Sequence, residues 1–102
     1  MRKIDTTNYD VKLSEEQDPI KVDVRGNIIQ LIYGETQDGT TLLERHTLAT
    51  KFQNESDTVL LEESDWNTLA ELVRTTKVFS RPFVEFVDRV LNAPQVDVTE
   101  AG

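Results

Sequence analysis

Residues 20–33 read IKVDVRGNIIQLIY, and this stretch carries the pattern that decides the predicted fold. Apolar and polar side chains alternate over residues 20–25, which is typical of a strand with one buried face. Gly26 and Asn27 then form a pair that favours a tight hairpin turn. The dense β-branched run at 28–33 indicates a central strand covered on both faces. The stretch is therefore predicted to be a β-hairpin.

The flanking segments extend this hairpin into a meander. Residues 9–13 alternate between apolar and polar side chains, and residues 58–61 form a short apolar run between polar loops. Residues 41–52 fit either element, because their Thr content and flanking turns favour a strand while their apolar residues could line one side of a helix. We predict a strand there. Four or five short strands with tight turns then fill the first 61 residues.

The pattern changes to helical spacing at Ser64. Ser64 or Asp65 can accept hydrogen bonds from the first free helical N–H groups, and apolar residues recur at helical spacing from Trp66 to Val73. Ser80 is predicted to cap a second helix, with Pro82 in the first turn, where its missing N–H costs nothing. The sequence therefore predicts two helices after the strands.

These elements place the chain in the α+β class. The predicted architecture is an antiparallel β-meander of four to five strands followed by two C-terminal α-helices. Because neither a linker nor an internal repeat divides the sequence, we expect a single compact domain over residues 1–94. Residues 95–102 are expected to form a polar flexible tail.

Composition excludes several classes of function. The 102 residues include 11 Lys and Arg against 19 Asp and Glu, one His and no Cys, for a formal net charge of −8. Without Cys there is neither a disulfide scaffold nor a thiolate zinc site. A single His makes a catalytic or metal site built on imidazoles unexpected, and no phosphate loop, nucleophile elbow or dinucleotide fingerprint is present. We therefore expect a non-enzymatic protein without metal or cofactor.

No targeting or membrane segment is predicted. The N-terminus begins with two positive charges, but the apolar run of about 7–15 residues that a secretory signal needs does not follow. The longest apolar run lies near 28–33, whereas a membrane-spanning helix needs about 20 apolar residues. We expect a protein without membrane contact in the cytoplasm or another intracellular compartment.

Basic and aromatic residues on the predicted sheet suggest a nucleic-acid interface. Lys21 and Arg25 share one face of their predicted strand. Arg45 and Lys51 are an even number of residues apart, so they share one face of the next long strand. With Tyr33 as a stacking platform, such a face could bind a single strand through backbone charge and base stacking. The overall negative charge opposes this function, but the local field at the binding face is what matters.

The order of the predicted strands, turn and helix resembles that of the transcriptional positive-coactivator family of single-stranded DNA binders. The Whirly proteins are structural relatives of that family. The likeness covers roughly residues 20–74 and is carried by three pieces: residues 21–33, the turn at 38–39 and residues 59–73. It implies a curved four-stranded antiparallel sheet that lies across nucleic acid and a dimer formed through a helix. It also implies binding roles for Arg25 and Trp66.

An acidic segment supports a second hypothesis. Residues 53–66 contain five carboxylates and no basic residue: Glu55, Asp57, Glu62, Glu63 and Asp65. As in virus-encoded or regulatory inhibitors, this surface could be presented to a basic partner. The alternative function is therefore an acidic protein–protein adaptor or inhibitor, although the same charges could simply stabilise the helix start and keep the protein in solution.

The second helix suggests self-association. Its apolar stripe includes Phe83, Phe86, Val87 and Val90. If this stripe is wider than one sheet can cover, a symmetric homodimer would bury the excess. We therefore predict these four residues as a dimer interface.

Overall fold

The structure is a computed structural model that describes residues 1–34, 38–53, 57–76 and 80–96. In this part of the chain, four strands and four helices follow one another in the order β1 (Arg2–Asp5), β2 (Tyr9–Val11), β3 (Ile20–Val22), α1 (Val24–Tyr33), α2 (Gly39–Thr50), β4 (Thr58–Leu61), α3 (Glu63–Thr75) and α4 (Val84–Leu91). A single 3₁₀ turn, Arg81–Phe83, leads into α4. The fold is a mixture of helices and strands.

The predicted meander is wrong, because the strands form two separate antiparallel ribbons. β2 pairs with β3, whereas β1 pairs with the distant β4 in a register that runs from Arg2 opposite Leu61 to Asp5 opposite Thr58. The other edge of β1 is covered by residues 94–96, through a bridge between Arg2 and Gln95. The predicted tail thus begins with residues that contact β1, while residues 97–102 lie outside the described part.

The predicted hairpin at 20–33 is also wrong, since only β3 is a strand and the rest is helix α1. The chain turns at Asp23, whose side chain accepts a hydrogen bond from the Gly26 N–H and so caps the helix. Val24, Ile28 and Ile32 are spaced four residues apart and are completely buried. The β-branched residues therefore serve a helix, because burial of this stripe outweighs their modest helix propensity.

Gly26 has a steric role rather than the turn role that its pairing with Asn27 suggested. A Cβ at position 26 would lie 2.3 Å from an Asp23 carboxylate oxygen. Glycine thus leaves room for the capping carboxylate in the position that it occupies, whereas a larger residue would require that side chain to shift.

Residues 41–50 belong to helix α2 and residues 51–52 to the turn that follows it, so the strand predicted at 41–52 is wrong as well. Asp38 caps α2 by accepting hydrogen bonds from both the N–H and the hydroxyl of Thr41, each at 2.9 Å. Asp followed by Gly is a signal for a turn and equally for a helix start. Leu48, Ala49 and Phe52 lie on the buried side of this segment, which sets its conformation.

All four helices and both strands of the β1–β4 ribbon contribute to one core. The helices predicted near the C-terminus are present as α3 and α4, and Phe86 and Val90 of α4 are fully buried in this core. Phe83 and Val87 are partly buried and pack against it. Two of the four residues predicted as a dimer interface, Phe86 and Val90, are thus core residues, and the dimer stays a prediction.

Tyr9 ties β2 to the start of α4, which has no side-chain cap of its own. Its hydroxyl donates to the Pro82 carbonyl at 2.8 Å and accepts from the Phe86 N–H at 3.0 Å. Burial raises the pKa of the Tyr9 phenol, so the hydroxyl keeps its proton at neutral pH. The phenol thus satisfies one of the open N–H groups of α4.

Tyr9→Phe is expected to lower the free energy of unfolding by about 1–3 kcal/mol, because a part-buried N–H and carbonyl lose their partner. Urea titration measures this change. Tyr33→Phe is the matched control: its hydroxyl bonds to His46 in an exposed setting, and we expect a change within about 0.5 kcal/mol. Equal losses in both variants would contradict the capping role.

Candidate functional site

The six residues predicted to bind nucleic acid lie on four different elements. Lys21 is exposed on β3, Arg25 lies in the first turn of α1 and Tyr33 ends that helix. Arg45 lies on α2, Lys51 is its C-cap and Trp66 lies on α3. The sheet face that was to hold them is not formed, because helix replaces strand over both 24–33 and 39–50.

Trp66 is a core residue. It is 7% exposed, and its indole N–H donates to the Val90 carbonyl at 2.8 Å. The Arg2 guanidinium covers the ring at 4.2 Å from its centroid. The indole therefore joins α3 to α4 and presents no open face on which a base could stack.

Three of the other candidates also make contacts within the chain. Lys51 forms an ion pair with Asp65. Arg45 donates to the Ile32 carbonyl at 3.4 Å, and the Tyr33 hydroxyl lies 2.6 Å from Nδ1 of His46. These contacts link α1, α2 and α3.

The predicted acidic surface divides into a structural part and an exposed part. Glu63 binds Arg2 at 2.7 Å and Gln95 at 2.8 Å, and Asp65 pairs with Lys51. Within the described residues, the side chains of Asp57 and Glu62 take part in no hydrogen bond or ion pair. Glu55 lies outside the described part. Among the described residues, the exposed part thus consists of Asp57, just before β4, and Glu62, just after it.

β4 has an open edge between these two carboxylates. The Lys3 N–H donates to the Pro94 carbonyl at 3.0 Å, so it points away from β4. Lys3 lies opposite Leu60 in the ladder, and in such a pair both residues direct their main-chain groups outward. The N–H and carbonyl of Leu60 therefore face the outer edge, which no described strand covers.

The side chains of β4 alternate between the buried and the exposed face of the strand. Val59 and Leu61 are buried in the core, whereas Leu60 is 43% exposed. We call the combination of Asp57, Leu60 and Glu62 with the outer main-chain groups of Leu60 the β4 edge. An unpaired edge of this kind is a template for a further strand, and its flanking carboxylates favour a partner that carries positive charge.

The outer surface carries more negative than positive charge. Among the described residues, Arg2, Lys51, Arg74 and Arg89 form salt bridges with carboxylates. Most carboxylates take no part in these pairs. The field that a partner meets is therefore negative, in keeping with the net charge of −8.

Among the described residues, three carboxylates have a lowered pKa, and each is engaged in a structural contact. Hydrogen bonds from Gln95 and Arg2 lower the pKa of Glu63, and those from Thr41 lower that of Asp38. Burial acts to raise the pKa of Asp5, but hydrogen bonds from Thr7 and the charge of Arg89 outweigh it. These groups stabilise the fold as anions, so their contribution is lost as pH falls through their lowered pKa values.

A polar cleft of about 480 Å³ lies beside the N-terminus of α1. The Val24 N–H donates to the Asn8 side chain at 3.1 Å, and the Gly26 N–H donates to Asp23 at 3.1 Å. Since the helix end is capped by the chain itself, it offers no anion site. Nowhere in the described ranges do three His, Asp or Glu side chains come together in a way that could hold a metal ion.

Comparison with protein-family models, with curated proteins and with solved structures gives no match. The resemblance to the single-stranded DNA-binding family stays a prediction. Across the described residues, no helix combines the length and apolar character needed to cross a bilayer.

Leu60 was not singled out as a site residue, although the sequence contained a signal for it. In a strand, side chains alternate between faces, so burial of Val59 and Leu61 places Leu60 outside. The sequence also predicts the acidic residues on both sides of this strand as a surface. It does not show that β4 pairs with β1, so that no described strand covers the other edge of β4.

Proposed function

We propose that this chain is a non-enzymatic adaptor that binds a basic segment of a protein partner at the β4 edge. The observation that carries the proposal is an open strand edge with an exposed Leu60 and unpaired carboxylates at Asp57 and Glu62. The partner would add an extended strand to β4. This mode takes its affinity from main-chain hydrogen bonds and its specificity from side chains.

The charge distribution supports a basic protein rather than nucleic acid as the partner. A polyanion would need a cluster of cations at one face, but Lys21 lies on β3, whereas Arg45 and Lys51 belong to α2 and its C-cap. A cationic strand would instead place its side chains beside Asp57 and Glu62. Electrostatic attraction of this kind increases the association rate and selects against acidic partners.

The test uses an extended peptide of alternating Val and Lys as the probe, titrated into the full chain at low salt. We expect binding with chemical-shift changes in backbone amide NMR centred on Leu60, because the added strand bonds to its outer main-chain groups. Replacing Asp57→Asn and Glu62→Gln together is expected to weaken binding by about tenfold, since each lost charge contact contributes up to about 1 kcal/mol.

The matched control is the pair Glu15→Gln and Glu16→Gln, which removes the same charge from an exposed loop between β2 and β3. Binding that weakens equally in both variants would indicate general attraction to an acidic protein and would overturn the proposal. A single-stranded oligonucleotide of mixed sequence is titrated in parallel. If it binds more tightly than the peptide, the nucleic-acid hypothesis prevails.

A further inference from the structure

The outer face of α2 is a strip of residues without Asp, Glu, Lys or Arg, and the exposed Glu44 borders it. It is formed by five exposed residues at helical spacing: Thr40, Leu43, His46, Thr47 and Thr50. Leu43 is 69% exposed, and Leu42 beside it is 45% exposed. In a chain with 29% charged residues, an exposed helix face without charge is unusual, because such faces are normally the polar, charged side of an amphipathic helix.

One edge of this face carries a charge of each sign, Glu44 in the middle of α2 and Lys51 at its C-cap. Glu44 and Lys51 are seven residues apart, which is about two helical turns, so their side chains lie on one side of the face. In an antiparallel pair of α2 helices related by a two-fold axis near Thr47, this edge meets the same edge of the second copy. Glu44 of each copy then lies beside Lys51 of the other.

From this arrangement we infer that the outer face of α2 is the contact surface of a symmetric homodimer. Two molecules of net charge −8 repel each other, so they associate best where neither presents uncompensated charge. The α2 face meets this condition, and its edges are self-complementary, as a two-fold interface requires. Leu43 supplies the apolar contact at each end of the seam.

This interface differs from the α4 stripe, of which Phe86 and Val90 are buried in the chain's own core. It is also independent of the β4 edge, because it rests on α2 alone. One helix from each copy forms a small seam, so the dimer is reversible and its population depends on protein concentration.

Sedimentation equilibrium over micromolar to millimolar concentrations tests the inference with the full chain. The wild type is expected to move from monomer to dimer within this range. Leu43→Asp should raise the dissociation constant at least about tenfold, because it places a charge in each half of the apolar seam. Val84→Asp is the matched control: Val84 is 68% exposed, lies on α4 and should leave the dissociation constant unchanged.

A charge exchange tests the antiparallel geometry. Glu44→Lys alone should weaken the dimer, because it places two cations side by side, and adding Lys51→Glu should restore it. Circular dichroism of each variant establishes that the fold is kept, which matters because Lys51 also pairs with Asp65. A wild type that stays monomeric throughout, or a dimer lost in Val84→Asp but not in Leu43→Asp, would overturn the inference.

Discussion

Phe86→Ala is expected to lower the free energy of unfolding by about 3–5 kcal/mol, because it removes a fully buried aromatic side chain and leaves a cavity. Phe86 packs on α4 against the shared core and makes an edge contact with Phe83 at 5.9 Å between ring centroids. For a domain of this size such a loss is a large share of the total stability, which is commonly about 5–15 kcal/mol.

Urea titration followed by circular dichroism measures this effect, and Val84→Ala on the same helix provides the control. Val84 is largely exposed, so its truncation should change the free energy of unfolding by no more than about 0.5 kcal/mol. A variant Phe86→Ala that keeps its urea midpoint but loses a dimer would support the interface predicted for this stripe and contradict the core role.

Trp66→Ala is the second substitution with a large expected effect. It should lower the free energy of unfolding by about 3–5 kcal/mol. The substitution empties a core position and leaves the buried Val90 carbonyl without the indole N–H. It also removes the ring beneath the Arg2 guanidinium. Because three elements meet at this side chain, we expect the loss to appear as a single cooperative shift of the unfolding transition.

Trp66→Phe separates the hydrogen bond from the packing. It keeps an aromatic ring but leaves the Val90 carbonyl unpaired, at an expected cost of about 1–3 kcal/mol. As Trp66 is the only tryptophan in the chain, its fluorescence in the native wild type should be poorly quenched by iodide. Strong quenching, or a stability unchanged by Trp66→Phe, would mean that the indole is open to solvent and could stack on bases.

Elements with local signals could be predicted from the sequence. β4 is a short apolar run between polar loops, and α3 and α4 combine helical spacing with acidic residues or Pro at their starts. Each signal lies within a few residues of the element that it specifies. Such signals are independent of the rest of the fold, and these three elements are where they were expected.

The β4 edge could be predicted only in part. The two carboxylates and the strand between them are visible in the sequence, but the open edge depends on which strand β4 pairs with. β1 contributes only four residues and lies more than fifty residues away along the chain. No local pattern specifies such a pairing, because the energy comes from side chains that meet only after folding.

The sequence by itself determined the net charge, the absence of thiol chemistry, β4 and the two C-terminal helices. The tertiary structure decided the conformation of residues 20–33, because the apolar residues there fit both the two-residue period of a strand and the 3.6-residue period of a helix. Asp23 begins a helix there because Val24, Ile28 and Ile32 then share one face that the other helices cover. Burial of that face stabilises the helix by more than the β-branched residues disfavour it. The choice between hairpin and helix is therefore made by the core, which no segment of the chain contains alone.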